Sequence, residues 1–156
     1  MPDRITGWRI TQKRYADDAF SGEGARRYGG RWNSRGTAIA YAAGSRSLAL
    51  LEVLVHLDST PLLRRYALVP VRFDAQHVET LQAAALPPDW RTHPAPTSTQ
   101  TLGDTWAEAE RSPVLQVPSV IVPAEPNYLI NPHHPDFDAL EIGEAEPLDV
   151  DDRLFG

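Results

Sequence analysis

Proline interrupts this chain wherever an element could otherwise run long. Fourteen of its 156 residues are proline and ten are glycine. Proline lacks a backbone N–H and fixes φ, so it ends helices and is confined to the edges and bulges of sheets. The two strongest β-type runs each contain one: RRYALVPVRF (64–73) carries Pro70, and VLQVPSVIVP (114–123) carries Pro118. A chain so punctuated folds into short elements joined by many turns. Its length suits one domain, 1–156, with a real core, and not comfortably two. The pattern predicts strands at 7–10, 37–42, 64–73 (an edge or bulge, because of Pro70), 114–123 and about 138–142. It predicts a helix over about 46–57, with Ser45 as N-cap and DSTP as terminator. A second, short helix is predicted from Thr105 to about Ser112, because TWAE fits the Ser/Thr-x-x-Glu capping box. Residues 14–36 read as loop, 86–103 as an irregular segment that could be mobile, and the acidic segment 144–156 as an exposed edge. The fold class is α+β in a single domain.

Charge is spread unevenly. The net charge is -6. Residues 1–50 hold nine Arg/Lys against four acids, a balance of +5, and the remainder holds six against seventeen, a balance of -11. An acidic total argues against general nucleic-acid binding, which relies on many cations releasing counterions. A local basic cluster still suits a small phosphorylated ligand, although most such arginines are solvated surface charges. There is no cysteine, so disulfides and thiolate metal sites are excluded, and a reducing cytoplasm is expected. No signal pattern and no apolar run of bilayer length is present.

The residues that could carry chemistry begin with Glu52. In SRSLALLEVLVHL (45–57), Leu48, Leu51, Glu52 and Val55 fall at i, i+3, i+4 and i+7, which puts a carboxylate on an apolar stripe of a helix expected to be largely buried. A buried carboxylate needs partners, and such groups mark functional sites. Alternatively, Glu52 and His56, one turn apart, form a narrow solvent-facing strip. Arg31 follows two glycines in YGGRWN (28–33), where backbone can approach a ligand and a guanidinium can match phosphate oxygens. The alternative is a turn with an exposed arginine. Tyr41 sits on a predicted strand, where aromatics are usually core. Ser119 is read on one strand face with Val117 and Ile121, and no G-x-S-x-G elbow surrounds it. His133, His134 and Asp136 match no zinc spacing, so no metal is expected. Neither a Walker loop nor G-x-G-x-x-G occurs.

The stretches WRI (8–10), ARRYGGRWNSRGTAIAYAAGSRSLALLEVLVHL (25–57), LPPDW (86–90) and LGDTWAEAERSPVLQVPSVIVPAEPNYLINPHHPDF (102–137) together resemble the RES domain family, named for an arginine, a glutamate and a serine. The resemblance runs from Trp8 to Phe137 within a motif-bearing region of about 7–142. Arg31, Glu52 and Ser119 match the three name-giving residues. Tyr41 matches a further site tyrosine, and Arg9 falls where the family has another basic residue. The resemblance implies an ADP-ribosyltransferase-like fold with a split β-sheet core and NAD+ in its cleft as substrate. It implies a toxin that cleaves NAD+ at the nicotinamide–ribose bond. The acceptor would be water, phosphate or a protein, such as an enzyme of phosphoribosyl-pyrophosphate synthesis. It also implies a helix-turn-helix antitoxin of the Xre class that blocks the cleft in a multimeric complex.

Physical chemistry accommodates that expectation. Nicotinamide leaves NAD+ as a neutral ring, so no general acid is required and one carboxylate can suffice. The expected roles are Glu52 for the ribosyl cation, Tyr41 for stacking on nicotinamide, and Arg31 with Arg9 for the pyrophosphate. Ser119 would hydrogen-bond the ribose or orient Glu52. Two other classes compete. A non-catalytic nucleotide-binding module is disfavoured by the intact residue set, and a ribonuclease-type toxin by net acidity and the lack of an acid–base pair.

Overall fold

The computed structural model describes residues 3–156. Its strands are β1 (Arg4–Gln12), β2 (Ala40–Ala43), β3 (Tyr66–Asp74), β4 (Val78–Thr80), β5 (Val114–Pro118), β6 (Pro126–Ile130), β7 (Glu141–Ile142) and β8 (Glu146–Pro147). Its α-helices are α1 (Glu23–Tyr28), α2 (Arg46–Leu54) and α3 (Thr97–Glu108). The strands form one mixed sheet in the order β4-β5-β6-β2-β1-β3-β7, with β8 also on β3. β4 and β5 run parallel and every other pair is antiparallel. This is the α+β, single-domain architecture expected.

The sheet is nearly divided in two. β1 and β3 pair along their whole length, from Arg4 opposite Asp74 to Gln12 opposite Tyr66. β2, β6 and β5 form a second continuous ladder. The halves meet through a single register pair, Trp8 opposite Ala43. Beyond it β1 and β2 splay apart, which is the split core the family resemblance implies.

Hydrophobic packing follows the strand alternation. Val69, Val71 and Phe73 of β3 pack with Ala42, Val114, Tyr128 and Ile130, and Phe73 meets Tyr128 edge-on at 5.3 Å. A second cluster joins Trp32 and Ile39 to Trp106 of α3 and to Leu115, Val117 and Leu129. A third seats Leu48 and Ala49 of α2 against Ala43, Trp8, Ile10 and Val122.

Several expected elements differ. β3 is not an edge strand: β1 lies on one side, and β7 and β8 lie on the other. Pro70 is tolerated because β8 covers residues 67–68 and β7 covers 71–72, which leaves Pro70 at the gap between them. α1 falls inside the expected loop; it is six residues long and starts after Gly22, which has φ 72 and provides no side-chain cap. α3 begins eight residues before the TWAE capping box, inside the segment expected to be irregular. The run 114–123 is a strand only as far as Pro118. Ser45 does cap α2, accepting the Leu48 N–H at 3.1 Å. The helix is less buried than expected: Leu51 is 41% exposed and Val55 59%. Only one narrow face of α2, with Leu48 and Ala49, packs into the core, and Leu51 and Val55 turn away from it.

Candidate active site

A cleft opens where the two halves of the sheet part. It consists of two adjoining cavities of about 670 and 610 Å³, and Arg31, Tyr41, Glu52, His56 and Asn127 line both. Trp8, Arg9 and Ile10 of β1 line the first, together with Ala49, Val53 and Tyr28. Trp32, Val55, His93, Val120 and Ile121 line the second. Ala49, Glu52 and Val53 of α2 and His56 just beyond its end line the first cavity, at i, i+3, i+4 and i+7 on one face. Glu52 thus faces the cleft and not bulk solvent.

The Glu52 carboxylate is held at one oxygen. Ser119 Oγ donates to Oε1 at 2.8 Å, and Asn127 Nδ2 donates to the same oxygen at 2.8 Å. Ser119 is fully buried. Its hydroxyl accepts the Ile121 and Val122 N–H groups at 3.0 and 3.1 Å, so its single proton is directed to Glu52. Ser119 lies just past β5 in the turn leading to β6, and not on a strand face as expected. Oε2 carries no protein hydrogen bond among the described residues and is not enclosed.

The two cleft arginines are anchored in the same way. Arg9 Nη1 donates to the Tyr41 carbonyl at 3.1 Å, and its Nε is enclosed without a partner. No carboxylate among the described residues pairs with Arg9. Burial pushes its guanidinium below the ordinary value. Arg31 Nη1 donates to the Trp90 carbonyl at 3.2 Å and to the Thr92 carbonyl. Burial lowers Arg31 as well, opposed by Tyr41 and then Glu52. A desolvated, unpaired cation is costly, and an anionic ligand relieves that cost. The other N-terminal arginines do not share this setting: Arg26 and Arg27 pair with Glu23, Arg4 with Asp74 and Glu141, and Arg46 with Glu146, while Arg14 and Arg35 are exposed.

Tyr41 presents its ring, not its hydroxyl. The hydroxyl donates to Asn33 Oδ1 at 2.6 Å and accepts the Trp32 N–H at 3.1 Å. Burial raises its pKa well above the ordinary phenol value, so it stays neutral. Its bonds hold the 29–34 turn, in which Gly30 is obligatory: a Cβ there would lie 2.7 Å from the Tyr41 hydroxyl and 2.8 Å from Asn33 Oδ1.

No sequence signal points to α3 as the support of this turn. Thr99 Oγ1 donates to the Arg31 carbonyl at 2.7 Å, Gln100 Nε2 to the Gly30 carbonyl at 3.1 Å, and Asp104 accepts the Ser34 N–H at 3.0 Å. Gly103 packs directly on Trp32: a Cβ there would come within 1.7 Å of the Trp32 carbonyl oxygen. Asn127 carries no sequence signal either, because it opens the NYLINPHHPDFDAL stretch, which reads as turn-rich and holds no motif at that position. The expected set of Arg9, Arg31, Tyr41, Glu52 and Ser119 converges on one cleft. His134 lies elsewhere, in a turn, where Nδ1 accepts the Asp136 N–H and Nε2 faces the Glu110 carbonyl.

Comparison with known proteins places the geometry in context. The RES domain family model matches residues 6–151. A protein named Toxin Res from Yersinia enterocolitica is 40% identical over 141 residues, covering 90% of this chain and 92% of its own. A Prs ADP-ribosylating toxin from Sphingobium sp. strain YBL2 is 42% identical over 154 residues, 95% of each chain. Among solved structures, a chain of the M. tuberculosis MbcT–MbcA toxin–antitoxin complex shares the fold, with TM-score 0.76 at 22% identity over 99% of this chain and 88% of that one.

Proposed function

The chain belongs to the RES domain family, and from that premise we propose that it is the toxin of a toxin–antitoxin pair, acting in the cytoplasm by cleaving NAD+ and passing ADP-ribose to an acceptor. The observation that carries this reading is the cleft itself. A carboxylate with one bound and one free oxygen shares a cleft with two arginines that lack carboxylate partners. That arrangement suits a ligand with an anionic centre and a reacting carbon that becomes cationic.

In this reading NAD+ lies across the split in the sheet. The bond between the ribose anomeric carbon and the nicotinamide nitrogen breaks, and its electron pair stays on nitrogen. The pyridinium charge disappears as the ribosyl cation forms. Glu52 Oε2 stabilises that cation, an interaction stronger in the transition state than in the ground state. Ser119, enclosed and out of ligand reach, orients the carboxylate. The Tyr41 ring stacks on nicotinamide, and Arg31 and Arg9 hold the pyrophosphate through nitrogens without protein partners. The acceptor supplies an oxygen or other nucleophile to the anomeric carbon and loses a proton. A protein acceptor follows from the name of the Sphingobium relative; water and phosphate are the other arms.

The test is to incubate the purified chain with labelled NAD+ alone, with phosphate, and with cell extract. Nicotinamide release should fall by about a hundredfold or more in Glu52→Ala and Arg31→Ala. The accelerating condition, or a labelled protein band, identifies the acceptor. No release from folded, partner-free protein under any condition would favour a binding module instead. Unrestrained activity would harm the host, so an antitoxin of the Xre helix-turn-helix class is proposed to cover the cleft in a multimeric complex. The exposed apolar rim, with Tyr28 76% and Val55 59% accessible, suits such a cover. A purified complex that releases nicotinamide as fast as the free chain would contradict the cover.

A further inference from the structure

Asn127 is the second donor to Glu52, and nothing about its sequence neighbourhood requires an amide there. It stands near the start of β6, opposite Ala43 of β2 and Val117 of β5, so strands flank its backbone on both sides. Its Nδ2 donates to Glu52 Oε1 at 2.8 Å across 75 residues of chain. The amide orientation is forced, because a carboxylate oxygen only accepts hydrogen bonds and must face the nitrogen. The consequence is that Asn127 Oδ1 is enclosed without a hydrogen-bond partner.

An enclosed, unpaired carbonyl costs at least as much as an ordinary hydrogen bond returns. An apolar residue on this strand would pack without that cost, so stability does not account for the amide. Such incompletely satisfied groups are explained most readily by function. We propose that Asn127 is a positioning residue for the reaction, fixing the Glu52 carboxylate so that Oε2 is the oxygen presented to the substrate. This rests on the NAD+ reading of the cleft. Ser119 alone, one donor on one oxygen, leaves the carboxyl plane free to turn. Asn127 supplies a second donor from a different element, and two converging donors define the plane. The carboxylate is thereby aligned before any ligand arrives, which is the condition for electrostatic stabilisation without reorganisation.

The full chain is compared as wild type, Asn127→Asp and Asn127→Ala, with melting temperature recorded for each. Asn127→Asp keeps the side-chain shape but replaces the donor with a second carboxylate. Asn127→Ala removes donor and orphan acceptor together. Both are expected to stay folded, with kcat for nicotinamide release lowered about tenfold to a hundredfold, the scale of a small misplacement of a reacting group. KM should hold within about threefold, because a positioning residue contributes to the transition state and not to uniform binding. Wild-type kcat in either folded variant would overturn the proposal, as would losses that merely track unfolded protein. A second measurement needs no turnover. The Asn127 side-chain amide protons, identified in a nitrogen–proton NMR spectrum by their absence in Asn127→Ala, should move upfield in Glu52→Ala. If they stay in place, no bond links the two residues in solution and the inference fails. If the wild type releases no nicotinamide while the amide signal moves, it is the NAD+ reading that fails, together with the substrate-facing role, and the pairing alone stands.

Discussion

Each charged side chain in the cleft is fastened at one atom and open at another. Glu52 is held at Oε1, Arg9 at Nη1 and Arg31 at Nη1. That pattern separates positioning from binding, and the two can be mutated apart. Ser119→Ala removes a donor to Glu52 and two acceptor contacts to the turn that follows. It should lower kcat by about tenfold or more and cost about 1–3 kcal/mol in urea unfolding, since it leaves two half-buried N–H groups and a carboxylate oxygen short of a partner. Tyr41 separates in the same way. Tyr41→Phe keeps the ring but frees the Trp32 N–H and Asn33 Oδ1, and should destabilise by a similar amount while KM for NAD+ changes little. Tyr41→Ala should raise KM sharply. The phenol also gives a pH signature. Its folded pKa lies above the unfolded value, so the folded state holds a proton that the unfolded state releases. The resulting stability is fully present below about pH 10 and is lost as pH rises above the ordinary tyrosine value. Alkaline unfolding should therefore be less steep in Tyr41→Phe than in the wild type, as measured by denaturant melts from pH 9 to 11.

At the scale of elements, α3 explains how a glycine-rich turn holds an arginine in place. A turn of this kind is cheap to bend, so its precision has to come from outside. Thr99, Gln100 and Asp104, spread over the first two turns of α3, bond to residues 30, 31 and 34. Gly103 lets the helix approach until backbone touches backbone at Trp32. Gly103→Ala must push the helix away, and cavity-free cores resist this by about 1–3 kcal/mol or more. It should lower the melting temperature and abolish nicotinamide release, although residue 103 lies outside the cleft lining. Asp104→Ala should retain most stability and show a raised KM for NAD+, because the Ser34 end of the turn loosens while Thr99 still holds Arg31. A melt that is unchanged in Gly103→Ala would contradict the close approach.

At the scale of the whole molecule, the cleft exists because the sheet is joined at a single pair. The β1–β3 ladder is continuous, and the β1–β2 seam is Trp8 opposite Ala43. Trp8 is braced by Arg46, whose guanidinium stands 3.9 Å above the ring and also approaches Glu146 at 3.9 Å. Exchange protection tracks how much structure must open. Amides of the β1–β3 ladder should exchange near the global rate, and those at the Ala43 seam distinctly faster. A ligand bound across the seam should slow the second group far more than the first, because it stabilises only the state in which the halves are together. Equal protection in both groups would argue that the seam is not a weak line. No helix among the described residues is long and apolar enough to cross a membrane.

The sequence alone determined what depends on near neighbours. Ser45 caps α2 because a serine oxygen reaches an N–H three residues on. Glu52 stands out as a carboxylate in a helix that reads as apolar, and proline and glycine forecast turns between elements of an α+β fold. The motif resemblance collected Arg9, Arg31, Tyr41, Glu52 and Ser119, and the fold brings them to one cleft. Only the tertiary structure decided what depends on distant neighbours. Thr97 to Thr101 carry little helical signal, and their helix is anchored where Thr99 and Gln100 donate to the carbonyls of Arg31 and Gly30. Pro70 sits inside the sheet because two short strands end on either side of it. Of the nine basic residues before position 50, Arg9 and Arg31 line the cleft because the fold places β1 and the 29–34 turn there. Asn127 reaches Glu52 across 75 residues and Ser119 across 67. No local pattern encodes such a pairing, because a hydrogen bond is read in distance and direction, and those are fixed only when the sheet has formed.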